Sequence, residues 1–203
     1  MKNIIFDLGN TIVKYNPIDI IKSFGIENEE DIRIIEEKVF LRPLWDELEI
    51  GKITQEEFEE IIISSLPEKY KAIGSEICEN WHRKLPVIEG TYKLIKKLKK
   101  DGYKLYLLSN VSKKYGDDKD EFEFLKDFDG FVFSGAVKMM KPDRKIYEYT
   151  LDTFNLKAEE CIFIDDREEN IKGAQECGIK GFLFNFNPED AEKFIYNAGK
   201  NIK

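Results

Sequence analysis

Short unbroken apolar runs open the chain and recur through its second half. Between them, apolar residues return every third or fourth position. The first run is Ile4-Ile5-Phe6, and it stops at Asp7, before a turn-like Leu8-Gly9-Asn10-Thr11. Further runs are Tyr103–Leu108, Phe131–Phe133, Cys161–Ile164 and Gly181–Phe184. Runs of this length bounded by turn residues read as buried strands. Helical spacing fills the gaps. Gly90–Lys100 carries Tyr92, Leu94, Ile95 and Leu98 on one face and ends at Asp101-Gly102. Lys141-Pro142-Asp143 opens a helix through Tyr147, Leu151 and Phe154. Arg167–Cys177 and residues 188–198 supply two more. The polar stretch 112–120 reads as a loop.

Residues 14–84 have a different pattern, with helical stripes and no strand run. Ile18, Ile21 and Phe24 mark a helix over 17–24, and Ile32, Ile35, Val39 and Phe40 mark a second. Pro43 starts a third over 43–50, ended by Gly51. Thr54 and Glu57 form a capping box for a fourth, which carries Phe58, Ile61, Ile62 and Leu66. One more follows over 68–84. Strands alternating with helices imply βαβ units and a parallel sheet, which the first strand joins for want of another partner. The expected fold is α/β, a three-layer Rossmann-like parallel sheet. Residues 1–13 and 85–203 form the core, and 14–84 a helical cap inserted after the first strand.

Composition narrows the class. The formal net charge of −8 argues against nucleic acid or an anionic membrane as partner, but a metal ion or a local lysine can reverse the field at one site. The lysines in 96–100 read as a solvated helix face. Cys78, Cys161 and Cys177 are widely spaced and there is a single histidine, His82, so no zinc site or disulfide framework is expected. No apolar stretch approaches the roughly 20 residues of a membrane helix, and no leader-like segment opens the chain. A cytoplasmic location fits these features.

The candidate chemistry lies where the strands end. Three runs end in polar residues: Asp7, Ser109-Asn110 and Asp165-Asp166, while Lys141 stands at a helix start. In a parallel sheet these C-terminal ends share one edge, the edge where ligands bind in open α/β folds. Asp7 as a turn residue and Asp165-Asp166 as a helix cap are the ordinary readings of each motif alone. Taken together the motifs point elsewhere. Adjacent buried carboxylates repel, and a hard divalent cation offsets that repulsion. Mg²⁺ takes such oxygens and keeps waters, which suits it to gripping a phosphoryl group.

Asp7-Leu8-Gly9-Asn10-Thr11, Leu108-Ser109-Asn110, Lys141-Pro142 and Ile164-Asp165-Asp166-x-x-x-Asn170 resemble, in order and spacing, the four motifs of the haloacid dehalogenase superfamily. The insertion resembles its helical cap of the first type. Glu49-x-Gly51-x-Ile53-Thr54 is similar to its epoxide-hydrolase-phosphatase and sugar-phosphatase branches. The resemblance implies a phosphatase acting on a small phosphorylated metabolite, with a sugar phosphate as one candidate. Asp7 would be the nucleophile. Mg²⁺ would be held by Asp7, the Gly9 carbonyl and Asp166. Ser109 and the Asn110 N–H would hold phosphoryl oxygens, and Lys141 would neutralise charge. Asp165 (acting through a water), Asn170 and Thr11 would support them. One departure stands out. Many family phosphatases carry an acid/base aspartate two residues after the nucleophile, and here that position is Gly9. Turnover is then slow, or the leaving group is already good, or a cap side chain (Glu47, Glu49 or His82) supplies the proton. His82 reads rather as structural, and Trp45 and Trp81 as cap core. The alternative class is a catalytically weak family member that binds a phosphometabolite or a protein partner. A mutase would need the missing aspartate. A dehalogenase would leave Asp165-Asp166 unexplained. A receiver domain has its acidic pair before the phosphorylated aspartate.

Overall fold

A computed structural model of the chain describes residues 2–200. Its elements, in order, begin with β1 (Asn3–Phe6), followed by α1 (Pro17–Ser23), α2 (Glu29–Val39), α3 (Arg42–Glu49), α4 (Gln55–Ser65) and α5 (Lys71–Asn80). Then come α6 (Glu89–Lys100), β2 (Lys104–Ser109), α7 (Lys113–Asp117), β3 (Gly130–Phe133), α8 (Ser134–Val137) and α9 (Arg144–Thr153). The chain closes with β4 (Cys161–Asp165), α10 (Glu168–Glu176), β5 (Lys180–Leu183) and α11 (Pro188–Lys200). All the strands pair in parallel, in the order β3-β2-β1-β4-β5. β1 is central. Asn3 lies opposite Lys104 on one side and Cys161 on the other. The chain winds outward from β1 through β2 and β3, then returns to the opposite side as β4. The crevice between the ends of β1 and β4 is therefore the topological switch point, the usual ligand position in such sheets.

Alternation along the strands builds two cores. Ile4, Phe6, Leu105, Leu107, Ile162 and Ile164 face one side and pack under α6 and α11. Ile5, Tyr106, Leu108 and Phe163 face the other and pack under α9 and α10. Each fully buried side chain of this size contributes about 1.5–3 kcal/mol. These strands are buried on both faces, which is why they read as continuous apolar runs.

Helices α1 to α5 bury a third cluster centred on Trp45. Its indole stacks on Phe40, meets Phe58 and Trp81 edge-on, and donates Nε1–H to the Val39 carbonyl at 2.6 Å. Two chain segments connect this cluster to the sheet, and they run side by side: Lys14 N–H bonds the Pro86 carbonyl (2.8 Å) and Ile88 N–H the Ile12 carbonyl (2.7 Å).

Three local expectations are corrected. The stretch 112–120 is not all loop. Ser112 caps α7, and Tyr115 is buried there. The helix expected over 68–84 is divided into 3-10 turns at Glu68–Tyr70 and Trp81–Lys84 around α5. The helix expected from Lys141 begins at Arg144, because Asp143 caps it by accepting from Lys145 N–H at 2.9 Å. Lys141 is thereby left in the preceding turn, free to point inward.

Candidate active site

Asp7 follows β1, Ser109 ends β2, and Asp165 ends β4. Parallel register brings these ends to one rim. Ligand oxygens of Asp7, Asp165 and Asp166 all lie within 4.8 Å of one another. The Lys141 ammonium sits among them, 2.6 Å from Asp7 Oδ1 and 2.7 Å from Asp165 Oδ2. Lys141 is 3% exposed and Asp165 fully buried. Burial alone would lower the lysine, but the charges of Asp165 and Asp7 outweigh it and hold the ammonium above its ordinary value. Burial lifts the Asp7 carboxyl to about 7, although Lys141 pulls it back and Asp165 repels it. Asp166 is also raised, by burial and then by Asp165. Three carboxylates crowd one ammonium at the rim, and Arg167, on the same cavity, also feels the charges of Asp165 and Asp166.

The supporting contacts account for the rest of the motifs. Asp165 accepts from Asn170 Nδ2 at 3.0 and 2.9 Å and from Arg167 N–H at 2.8 Å. Its oxygens are thus engaged in holding Lys141 and the loop after β4. Asn170 is fixed in turn, its carbonyl accepting from Tyr147 Oη at 2.8 Å. The Asn110 side chain clamps the Lys141 backbone, accepting its N–H (2.8 Å) and donating to its carbonyl (2.9 Å). Asn10, at φ 54°, turns the loop after Asp7, and its side chain accepts from Tyr15 N–H at 3.0 Å.

A cavity of about 310 Å³ opens on this cluster. Its floor is Asp7, Gly9, Ser109, Asn110, Lys141, Asp166 and Asn170. Thr11, the remaining position singled out in the sequence, is fully buried and does not reach the cavity wall. The roof comes from the helical segment and its linkers: Val13, Tyr15, Arg42, Glu49, Trp81 and Leu85. Sequence reasoning missed Tyr15, Arg42 and Arg167, which carry no local motif. Trp81 proves to be both core and wall, for it is 6% exposed yet borders the cavity. Trp45 is core. His82 is buried with Nε2 3.0 Å from Asp118 Oδ2, away from the cavity, and Glu47 is exposed.

Residues 1–178 match the model of the haloacid dehalogenase-like hydrolases. Among curated proteins, the sesquiterpene phosphatase astK of Aspergillus oryzae is 27% identical over 184 residues, covering 89% of this chain and 88% of that protein. The D-ribitol-5-phosphate phosphatase of Bacteroides thetaiotaomicron is 26% identical, covering 90% and 91%. A haloacid dehalogenase family enzyme from Bacteroides thetaiotaomicron, solved in complex with magnesium and inorganic phosphate, superposes with a TM-score of 0.66 at 26% identity, covering 90% and 93%.

Proposed function

We propose, from the premise that this chain belongs to the haloacid dehalogenase-like hydrolases, that it is a Mg²⁺-dependent phosphatase of small organic phosphates. The carrying observation is the cluster at the rim, where three carboxylates share a space of 4.8 Å with one buried ammonium. Such a donor set suits a hard, oxygen-seeking divalent cation. Asp7, the Gly9 carbonyl and Asp166 would hold it, since the oxygens of Asp165 are already engaged. With Mg²⁺ bound there, Asp7 and Asp166 could stay ionised together, and the ion would supply positive charge to attract a phosphoryl oxygen.

The chain's own groups then divide the work. The Asp7 carboxylate attacks phosphorus, and the bond to the leaving oxygen breaks, giving an aspartyl phosphate. Lys141 orients Asp7 and offsets charge that builds on the phosphoryl oxygens. Ser109 and Asn110 line the cavity, and the Ser109 hydroxyl and Asn110 N–H would hold those oxygens. Asp165, Asn170 and the Asn110 side chain keep Lys141 in place. Residues 14–84 act as a cap over the core of 1–13 and 85–203. The cap's wall mixes apolar Trp81 with polar Tyr15, Arg42 and Glu49, and it selects the leaving group. The relatives are a sesquiterpene phosphatase and a D-ribitol-5-phosphate phosphatase, so a phosphorylated metabolite, a sugar phosphate among the candidates, is the substrate class.

The test is phosphate release from p-nitrophenyl phosphate and a panel of sugar phosphates. Activity should require added Mg²⁺ and vanish with EDTA or in Asp7→Asn. Hydrolysis that persists in either case overturns the reading.

A further inference from the structure

Gly9 occupies the position where an acid/base carboxylate would serve the leaving group, and the space above it is open. A Cβ built there would meet nothing closer than Tyr15 Cβ at 3.9 Å. Burial raises the Tyr15 phenol to about 12, and the nearby charge of Glu49 adds to that rise. Glu49, at the end of α3, lines the same cavity as Asp7 and Gly9. It is 9% exposed, an unusual state for a glutamate whose only contact-distance cation among the described residues, Arg42, stands 3.5 Å away and half in solvent.

The Glu49 backbone is pinned to the core. The Ser134 hydroxyl accepts from Val111 N–H at 2.9 Å and donates to the Glu49 carbonyl, and Val111 itself borders the cavity. Gly51, at φ +72°, lies so close to Gly135 that a Cβ would sit 2.6 Å from its carbonyl oxygen. Helix α3 is thus held against the sheet rim by backbone contact, and its last residue is presented to the site. Neither Glu47 nor His82 borders the cavity.

We propose that Glu49 is the acid and base of the reaction, replacing from the cap the carboxyl that Gly9 lacks. This inference rests on the phosphatase reading above. In the first half-reaction the bond from Asp7 oxygen to phosphorus forms, the bond to the leaving oxygen breaks, and Glu49 gives its proton to that oxygen. In the second, water attacks phosphorus, its proton passes to the Glu49 carboxylate, and the Asp7 carboxylate leaves. Enzyme and protons return to the starting state, with alcohol and phosphate released.

The surroundings poise the group for both roles. Burial raises the Glu49 carboxyl to about 7. Arg42 and Arg167 pull it down, while Asp46 and Asp7 push it up. A group with its midpoint near the working pH is well placed both to give and to take a proton.

The experiment compares wild type, Glu49→Gln and Glu49→Asp on p-nitrophenyl phosphate with Mg²⁺. Nitrophenolate leaves without a proton, so only the second half-reaction needs Glu49. Glu49→Gln should release one rapid equivalent of nitrophenolate and then turn over about 10²–10⁴-fold more slowly, the usual worth of general acid–base catalysis. Phosphorylated enzyme should accumulate, visible by intact mass. Glu49→Asp should recover part of the steady rate. Glu49→Gln should also melt no lower than wild type at pH 8, which removes misfolding as a cause. A Glu49→Gln steady rate within about threefold of wild type, far inside the range for a lost acid/base, overturns the proposal. So does an equal loss of the rapid phase and the steady phase. Wild type that is inactive, or active in EDTA, sinks the phosphatase reading instead.

Discussion

Two buried side chains define the energetics of the site. Lys141 is enclosed by Asp7 and Asp165 and offers the cluster its only contact-distance cation among the described residues. Removing one member of a buried ion pair typically costs about 3–5 kcal/mol, because the remaining charge is left uncompensated. Lys141→Met should lose stability of that order in urea titrations at pH 7. Excess Mg²⁺ should return part of it, since an ion that binds the folded state alone stabilises by mass action. If Lys141→Met unfolds at the wild-type urea midpoint, the charge accounting for this rim is wrong. Glu49 has the opposite sign. Its folded pKa of about 7 lies above the ordinary 4.5, so the folded state favours the neutral acid. The stability associated with that proton is complete below 4.5 and is lost as pH rises through 7. At pH 8 the charged carboxylate is a liability on the order of 3 kcal/mol. Glu49→Gln should therefore melt higher than wild type at pH 8, with the gap closing toward pH 4.5. In the proposed acid/base role, Glu49 trades fold stability for a group that can move a proton.

At the scale of elements, the turn from α3 to α4 sets where Glu49 stands. Gly51 needs both its left-handed backbone and its missing side chain, because the Gly135 carbonyl occupies the Cβ position. Gly51→Ala should cost at least about 1–2 kcal/mol from the backbone alone. It should also lower steady turnover on p-nitrophenyl phosphate while sparing the first rapid equivalent, because the anchor of Glu49 shifts. Gly102→Ala is the control: its φ is +86° but nothing lies within 4 Å, so it should bear the strain and keep the turnover. Thermal melts and burst kinetics on both variants check this. The strands were legible because each apolar run meets its polar terminus at the sheet edge, and the parallel order then forces Asp7, Ser109 and Asp165 together. Helix α7 was not legible. It is five residues long, and its one buried contact, Tyr115, is surrounded by charged neighbours that read as loop. Arg42, Tyr15 and Arg167 were hidden for a different reason. They line one cavity from helix α3 and two separate loops, and no periodicity along the chain encodes that meeting.

At the scale of the molecule, the helical segment is held over the sheet at two separated places. One is the Glu49–Ser134 and Gly51–Gly135 contact. The other is charged: His82 Nε2 lies 3.0 Å from Asp118 Oδ2, and Arg83 bonds Asp118 at 2.9 Å and Glu121 at 2.7 Å. Burial depresses the His82 imidazole below its ordinary 6.5, although the Asp118 hydrogen bond and charge partly offset this, and Arg83 and Lys114 add repulsion. The folded protein therefore prefers neutral His82, whereas the unfolded chain takes up a proton near 6.5. The unfolded state binds more protons in that window, so this part of the stability is complete above pH 6.5 and declines as pH falls below it. Glu49 titrates in an overlapping range with the opposite slope, so the whole-protein curve mixes the two. The difference between wild type and His82→Gln isolates the histidine. That difference in unfolding free energy should shrink steadily from pH 7.5 to pH 5.5 in denaturant titrations. A difference that stays flat, or grows on acidification, would show that Asp118 holds His82 protonated, as a further ion pair beside Arg83–Asp118.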